Sequence, residues 1–544
     1  MTQHSNSPYP EVEGIDSALF QLSADALSPA DRAEAMQQLK DYVAIKKKYF
    51  LGYQANQALD YAGELDQYLD VQMNNIGDPF QTGNFKLNTK WIERSVLDYF
   101  AELWHVPTPH LEMYQENGEL NGDIEDIGNR YWGYVVSMGS TEGNLYGIRN
   151  ARDYLHGKIL AVDTATSKQR MHRGFFHSAK DGAKRLSHTE TAYQPVLFYS
   201  RATHYSIDKI KDILLFDTFS EVGKALYSGE CPITDDGEWP EHVPTYADDS
   251  INLEDLYKLV DFFAGKGHPI AVNFNYGTTF RGAYDDIEGA SAEIIRILEK
   301  HGIAEREFVV NINGTEVHSK RDGYWFHVDG ALGAAYGPFF EMLKAEGLLG
   351  EIPPQFDFRN PIHSISMSGH KEIGAPWPCG IYMTRTRYLL NFSNVSYIGS
   401  QDSTLSGSRN GFSALILWHY LSRHSHQDQK NKLMGLLNMA QYAYDQLKTV
   451  RTPTGVEWRV HRAENSLSVL FRRPNQALVS KYSLSTEFEE GFDYAHLFAM
   501  EHVTKATIDA LVHDLNQPGA FFEPEEAEPH AYARSIVNPG TGFR

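Results

Sequence analysis

Cysteine is nearly missing from this sequence: 544 residues hold two, Cys231 and Cys379. Two thiols so far apart build neither a disulfide framework nor a CxxC zinc site, which fits a reducing compartment. Basic charge is also short, with 49 Lys and Arg against 71 Asp and Glu and a formal net charge of −22. That balance offers no basic face for sequence-independent nucleic-acid binding. No run reaches the roughly 18 consecutive apolar residues of a membrane span. The opening MTQHSNSPYPEVEG has neither the basic n-region nor the apolar h-region of a signal peptide. These absences predict a soluble cytoplasmic protein with no nucleic-acid or membrane partner. What remains is ordinary globular composition, 42% hydrophobic, with length for more than one domain.

Ser28 reads as an N-cap with Pro29 at the first helical position, opening a helix to about Phe50. From WGYVVS onward, short apolar runs (PVLFYS, PIAVNFNYG, FVVNIN, YWFHVD) alternate with segments of helical periodicity such as EGNLYGIRNARDYL and NLEDLYKLVDFFAG. Such alternation predicts βαβ units and an α/β fold with a mostly parallel, buried sheet. Two stretches break the rhythm, 164–193 and 220–250. The second is rich in Pro, Gly and acid and reads as a surface insertion. The texture changes after Gly380. The expected division is an N-terminal helical segment (1–75), a large ligand-binding domain (76–385) and a small C-terminal α/β domain (386–544).

Four motifs fall where predicted strands end. In YVVSMGSTEGNLYG, Ser140 and Thr141 stand at a helix N-terminus, where unpaired N–H groups and the dipole favour an anion; a plain helix cap is the bland alternative. The glycine spacing matches neither GxGxxG nor the GxxxxGK[ST] loop. In WFHVDGALGAAYG, Asp329 closes a strand, where a buried carboxylate needs a partner. Ala331, two positions on, leaves room for a flat ring. His327 with Asp329 spells a possible metal pair, but no second cluster at metal spacing accompanies it, so no metal is expected. His204 follows the PVLFYS strand and is either structural or ligand-facing. Thr278 and Thr279 offer hydroxyls after PIAVNFNYG. Finally, HSISMSGHKEIGAPWPCG frames Lys371, directly after His370, between a strand and a Gly- and Pro-bounded bend.

Ligands of open α/β sheets bind at the carboxyl ends of strands. An anion cradle, a buried acid, a flat-facing histidine and an amine at one such edge are what pyridoxal 5'-phosphate requires, with Lys371 as Schiff base and Asp329 on the pyridinium nitrogen. In their order, SMGSTEGNLYG, THYSIDKI, GTTFRGAYDDI, FHVDGALGA, SISMSGHKEIGAPWPCG and TLSGSRNG resemble the group II pyridoxal-phosphate-dependent amino-acid decarboxylases over roughly residues 70–420. The likeness is greatest to the branch with bacterial histidine decarboxylases and the valine and methionine decarboxylases. It implies fold type I, aspartate-aminotransferase-like, and a homodimer with active sites at the interface. It also implies phosphate binding at Ser140 and Thr141, ring stacking by His204, the pyridinium acid at Asp329 and the Schiff-base lysine at Lys371. Ser368 stands where animal relatives more often carry Asn, and Ser406 or Ser408 would reach the partner subunit's phosphate.

Decarboxylation leaves a carbanion at Cα that must be reprotonated. In the family a tyrosine on a mobile loop after the lysine does this, so Tyr397, in the Gly/Ser/Asn-rich NFSNVSYIGSQDSTLSGSRNG, is the candidate acid; packing at a domain junction is the alternative. The expected partner is a small-molecule amino-acid substrate. Phe80, Phe85, Phe412 and Leu415 suit an apolar side chain, which favours methionine, leucine or valine over histidine, although all four could be core. An aminotransferase would need an arginine for the substrate carboxylate, and Arg409 keeps that reading open. An oxidative aldehyde synthase would carry Phe in place of the loop tyrosine.

Overall fold

The computed structural model describes residues 12–109, 124–162, 194–312, 315–390, 393–489 and 491–522, with short pieces at 174–177, 184–185 and 191. Six strands form the main sheet: Tyr131–Val136 (β1), Val196–Phe198 (β2), Ile270–Asn275 (β3), Tyr324–Asp329 (β4), Ser364–Ser368 (β5) and Gly380–Arg385 (β6). Their order is β1-β6-β5-β4-β3-β2. Strands β2 to β5 run parallel, and β6 is antiparallel to both β5 and β1. The carboxyl ends of β1 to β5 therefore share one edge. Nearly every residue of these strands is buried on both faces, the pattern expected when helices cover a parallel sheet.

The covering helices begin where local chemistry says they should. Asn252 caps Leu253–Gly265 and Asp286 caps Ile287–Lys300, each side chain accepting from a first-turn N–H. Ser28 caps Pro29–Lys48 in the same way, yet that 20-residue helix buries only Ala35. A second, antiparallel sheet of four strands (Val460–His461, Ser468–Arg472, Phe492–Phe498, Ser485–Glu489 in spatial order) lies in the C-terminal part.

Two expectations differ from the structure. The FVVNIN run does not join the main sheet: Glu305–Ile312 and Thr315–Asp322 pair with each other as a hairpin, with Lys184–Arg185 alongside. The stretch 220–250 is not merely a surface insertion. It starts inside a helix, Phe219–Leu226, and buries Trp239 against Phe262 and Phe263. Gly223 makes room for that indole, since a Cβ there would sit 2.3 Å from the ring. The other stretch, 164–193, lies largely outside the described residues.

Candidate active site

The shared strand edge opens into a cavity of about 200 Å3. At one end β1 runs into the helix Ser140–Leu155 through Gly139, whose φ of 69° and ψ of −162° suit only glycine. A Cβ on Gly139 would also lie 2.5 Å from His370 Cε1. Buried Glu142 accepts the N–H groups of Ser137 (2.8 Å) and Met138 (3.0 Å), and the Tyr146 hydroxyl donates to its other oxygen at 2.8 Å. The turn is thereby rigid before any ligand arrives. Ser140 N donates to Ser368 Oγ at 3.0 Å, tying this turn to the end of β5. The Ser140 hydroxyl is buried and has no hydrogen-bond partner among the described residues. An orphaned donor at a positive helix end is a site awaiting an anion.

Across the cavity, Asp329 ends β4 buried. Its Oδ1 accepts from Ala331 N at 3.1 Å and its Oδ2 from Asn144 Nδ2 at 2.7 Å. Lys371 lines the same cavity. Its amine donates to Gln54 Oε1 at 2.6 Å, and its carbonyl accepts from Asn56 N at 3.0 Å. Part of the Lys371 side chain faces the cavity, but the amine is enclosed by protein, and that burial draws its pKa down from 10.5 to about 8. The Asp329 carboxylate opposes this more weakly. A lysine so placed is a usable nucleophile near neutral pH.

His204 lines the same cavity. Its Nδ1 accepts from Ser206 N at 3.2 Å and meets Ser206 Oγ at 2.8 Å, so in the neutral ring the proton sits on Nε2. Burial lowers its pKa, opposed by the Asp329 charge and aided by that of Lys371, and favours that neutral form. Asn275, at the end of β3, donates to Thr203 Oγ1 at 2.9 Å beside it. Buried Asp285 accepts from Asn275 N (2.6 Å) and Ile251 N (2.7 Å), which fixes the β3 exit; burial pushes its carboxyl up to about 7.

Ten sequence-predicted residues converge on this one cavity: Ser140, Thr141, His204, Thr278, Thr279, Asp329, Ala331, Ser368, His370 and Lys371. Tyr397 and Ser408 do not line it. Tyr397 is 76% exposed, and exposed Ser408 accepts from Asn74 Nδ2 at 3.1 Å. Nor do the four apolar residues read as a substrate pocket. Phe80 packs on Tyr131, Phe412 on Trp377, Leu415 is buried in the core, and Phe85 lies at the surface. Arg409 is also elsewhere. It is buried in an ion pair with Glu93 and donates to the carbonyls of Val135, Asn75 and Gly77, so it is committed to the scaffold. Among the described residues no group of three His, Cys, Asp or Glu could hold a metal, and no helix is long and apolar enough to cross a membrane.

Sequence reasoning missed Asn144, Asn275, Ser206 and Gln54. Asn144 had a signal, one helical turn after Ser140 and so on the same face. Asn275 is a polar residue closing an apolar strand. Gln54 had none, lying 317 positions from Lys371 in a segment without regular structure.

A mostly parallel α/β sheet with an anion turn, an acid and an enclosed lysine at its strand ends defines a cofactor-dependent enzyme of the type I fold. The family profile described as pyridoxal-dependent decarboxylase conserved domain matches residues 88–452. The chain belongs to that family. Histidine decarboxylase of Vibrio campbellii is 30% identical over 474 residues, covering 86% of this chain and 91% of that protein. The Pseudomonas entomophila histidine decarboxylase is 31% identical over 493 residues, covering 90% and 91%. The solved L-methionine decarboxylase of Streptomyces sp. 590 is 38% identical, with a TM-score of 0.80, covering 94% of this chain and 98% of that one. The enzyme is thus a pyridoxal-phosphate-dependent amino-acid decarboxylase, a lyase. Its own geometry fits the cofactor: the orphaned Ser140 hydroxyl and the Gly139 turn suit a phosphate, Asp329 a ring nitrogen, and the enclosed amine an aldehyde carbon.

Proposed function

We propose that the enzyme decarboxylates a neutral, apolar L-amino acid, methionine foremost, to its primary amine and CO2. The observation that carries this reading is the charge of the cavity. Among the described residues Asp329 and Lys371 are the only charged side chains that line it, and in this reading the cofactor takes up both. An acidic or basic substrate side chain would find no counter-charge there, and burying it unpaired is costly. Likeness to the methionine enzyme over nearly the whole chain supports methionine, and leucine or valine would satisfy the same chemistry.

In this reading Ser140, Thr141 and Ser368 hold the phosphate, Thr278, Ala331 and His370 border the ring, and His204 lies on its face. Lys371 holds the cofactor through its amine. The Asp329 carboxylate keeps the proton on the ring nitrogen by favouring its charged form. Bound there, pyridoxal phosphate supplies an electron sink for the charge left at Cα when CO2 departs. Tyr397 returns the proton to Cα, and Ser408 reaches a phosphate, both in the partner subunit's site. Their exposure away from their own cavity supports a homodimer, as does a first helix that presents Met36, Val43 and Ile45 to solvent. The protein acts in the cytoplasm.

The test is a screen of the common amino acids for amine product. Methionine, leucine or valine should give the highest kcat/KM. Histidine is the second reading, favoured by the histidine decarboxylases among the relatives; a preference for histidine over methionine would replace the first.

A further inference from the structure

Asp329 is the last member of a file of hydrogen bonds that the reaction itself does not use. His327 and Asp329 lie two apart on β4 and so share a face. On neighbouring β5, Ser364 is in register with His327 and Ser366 with Asp329. The helix Ser140–Leu155 presses Asn144 onto His327, Ser366 and Asp329. Two glycines permit the approach: a Cβ on Gly143 would lie 2.7 Å from Ser366 Cβ, and one on Gly147 2.5 Å from His327 Nδ1.

The contacts give the file a direction. His327 Nε2 meets Asn144 Oδ1 at 3.0 Å, and Ser366 Oγ donates to the same oxygen. Asn144 Nδ2 then donates to Asp329 Oδ2 at 2.7 Å. Reversing the amide would set a carbonyl oxygen against a carboxylate oxygen, and that repulsion fixes the orientation. His327 is fully buried, and burial draws its pKa down to about 4. The ring therefore carries one proton. Asn144 Oδ1 can only accept, which puts that proton on Nε2 and leaves Nδ1 to accept from Ser364 Oγ at 2.8 Å. Every link from Ser364 to Asp329 donates toward the carboxylate, and such chains polarise one another in a low dielectric.

We infer that His327 and Asn144 are positioning residues: through this one-way file they hold the Asp329 carboxylate aimed at the cofactor's ring nitrogen. The inference rests on Asp329 being the ring partner. The same wiring commits both imidazole nitrogens of His327 to protein partners.

Neutron diffraction from the holoenzyme in heavy water reads the file directly, with deuterium expected on His327 Nε2 and none on Nδ1. A deuteron on Nδ1 overturns the inference. In solution, the affinity of the cofactor-free enzyme for pyridoxal phosphate should fall about 10- to 100-fold in Asn144→Leu, the loss expected for one hydrogen bond to a charged group, and about 2- to 10-fold in His327→Leu, the loss expected for one to a neutral amide. His327→Gln keeps an N–H aimed at the same carbonyl and should recover most of that loss, which a merely structural histidine would not. Parent-like affinity in His327→Leu, or no recovery in His327→Gln, overturns the inference. Asp329→Asn separates the two possible failures. If it turns over as the parent does, Asp329 is not the ring partner and the inference falls with it. If it loses turnover while His327→Leu binds cofactor as the parent does, the inference alone falls. Where a variant fails to fold, the neutron map of the parent decides.

Discussion

Arg409→Met separates two accounts of the one arginine that could have made this an aminotransferase. In the structure Arg409 is 2% exposed, and its guanidinium is spent on Glu93 and three backbone carbonyls, with Tyr134 under its face at 4.5 Å. Methionine would fill much of the volume but leave the Glu93 carboxylate buried, served only by Asn75 Nδ2 (2.8 Å) and Val135 N (2.9 Å). Breaking one side of a buried ion pair costs about 3–5 kcal/mol. That loss should appear as a lower urea midpoint, followed by tryptophan fluorescence. The double variant Glu93→Gln with Arg409→Met should be less unstable than the sum of the singles, because the stranded charge is gone. The KM for amino acid, measured on the folded fraction with saturating cofactor, should stay near the parent's. An unchanged urea midpoint with a raised KM would refute this reasoning and return Arg409 to the substrate carboxylate.

Gly139→Ala meets a backbone conformation worth about 1–3 kcal/mol of strain for a residue with a Cβ, besides the contact with His370; pyridoxal phosphate affinity should drop at least about tenfold by absorbance titration, and parent-like affinity would count against the anion turn. Because the neutral amine is the nucleophile and Lys371 is lowered to about 8, reconstitution of cofactor-free enzyme should quicken as pH rises through about 8 and then level off; a rise centred on the ordinary lysine value of 10.5 would contradict its burial. Tyr397→Phe should still release CO2 while amine falls and aldehyde and ammonia rise under air, a general acid being worth about 10²–10⁴-fold in its step. Clean, fast amine formation by that variant would move the acid elsewhere.

The part of the site that was legible in the sequence is the part built from strand ends. An apolar run stopping at Gly-Ser-Thr, at Asp-Gly-Ala or at Gly-His-Lys announces both a buried strand and a polar side chain at its exit, because side-chain period and burial fix where each exit points. What failed has equally physical causes. Composition made 220–250 look like surface, since a single anchoring indole such as Trp239 hardly changes the content of a Pro- and acid-rich stretch. The run FVVNIN has the apolarity of a sheet strand, but with no helix between it and Tyr324–Asp329 the two could not both enter the parallel sheet, and it paired with its own continuation instead. The apolar residues around 80 and 412 were read as a pocket because hydrophobicity alone does not distinguish a lining from a core. Gln54 reaches Lys371 through tertiary packing of an irregular segment, for which no local periodicity exists.

Reductive trapping tests the central claim most directly. Borohydride added to the yellow holoenzyme makes the bond between cofactor and protein permanent, and peptide mass spectrometry then finds the modified residue. The label should sit on Lys371 alone and be absent from Lys371→Ala, which should form neither amine nor CO2. A label on another lysine, such as buried Lys90, or an active Lys371→Ala, would contradict a decarboxylase site built at the carboxyl end of β5.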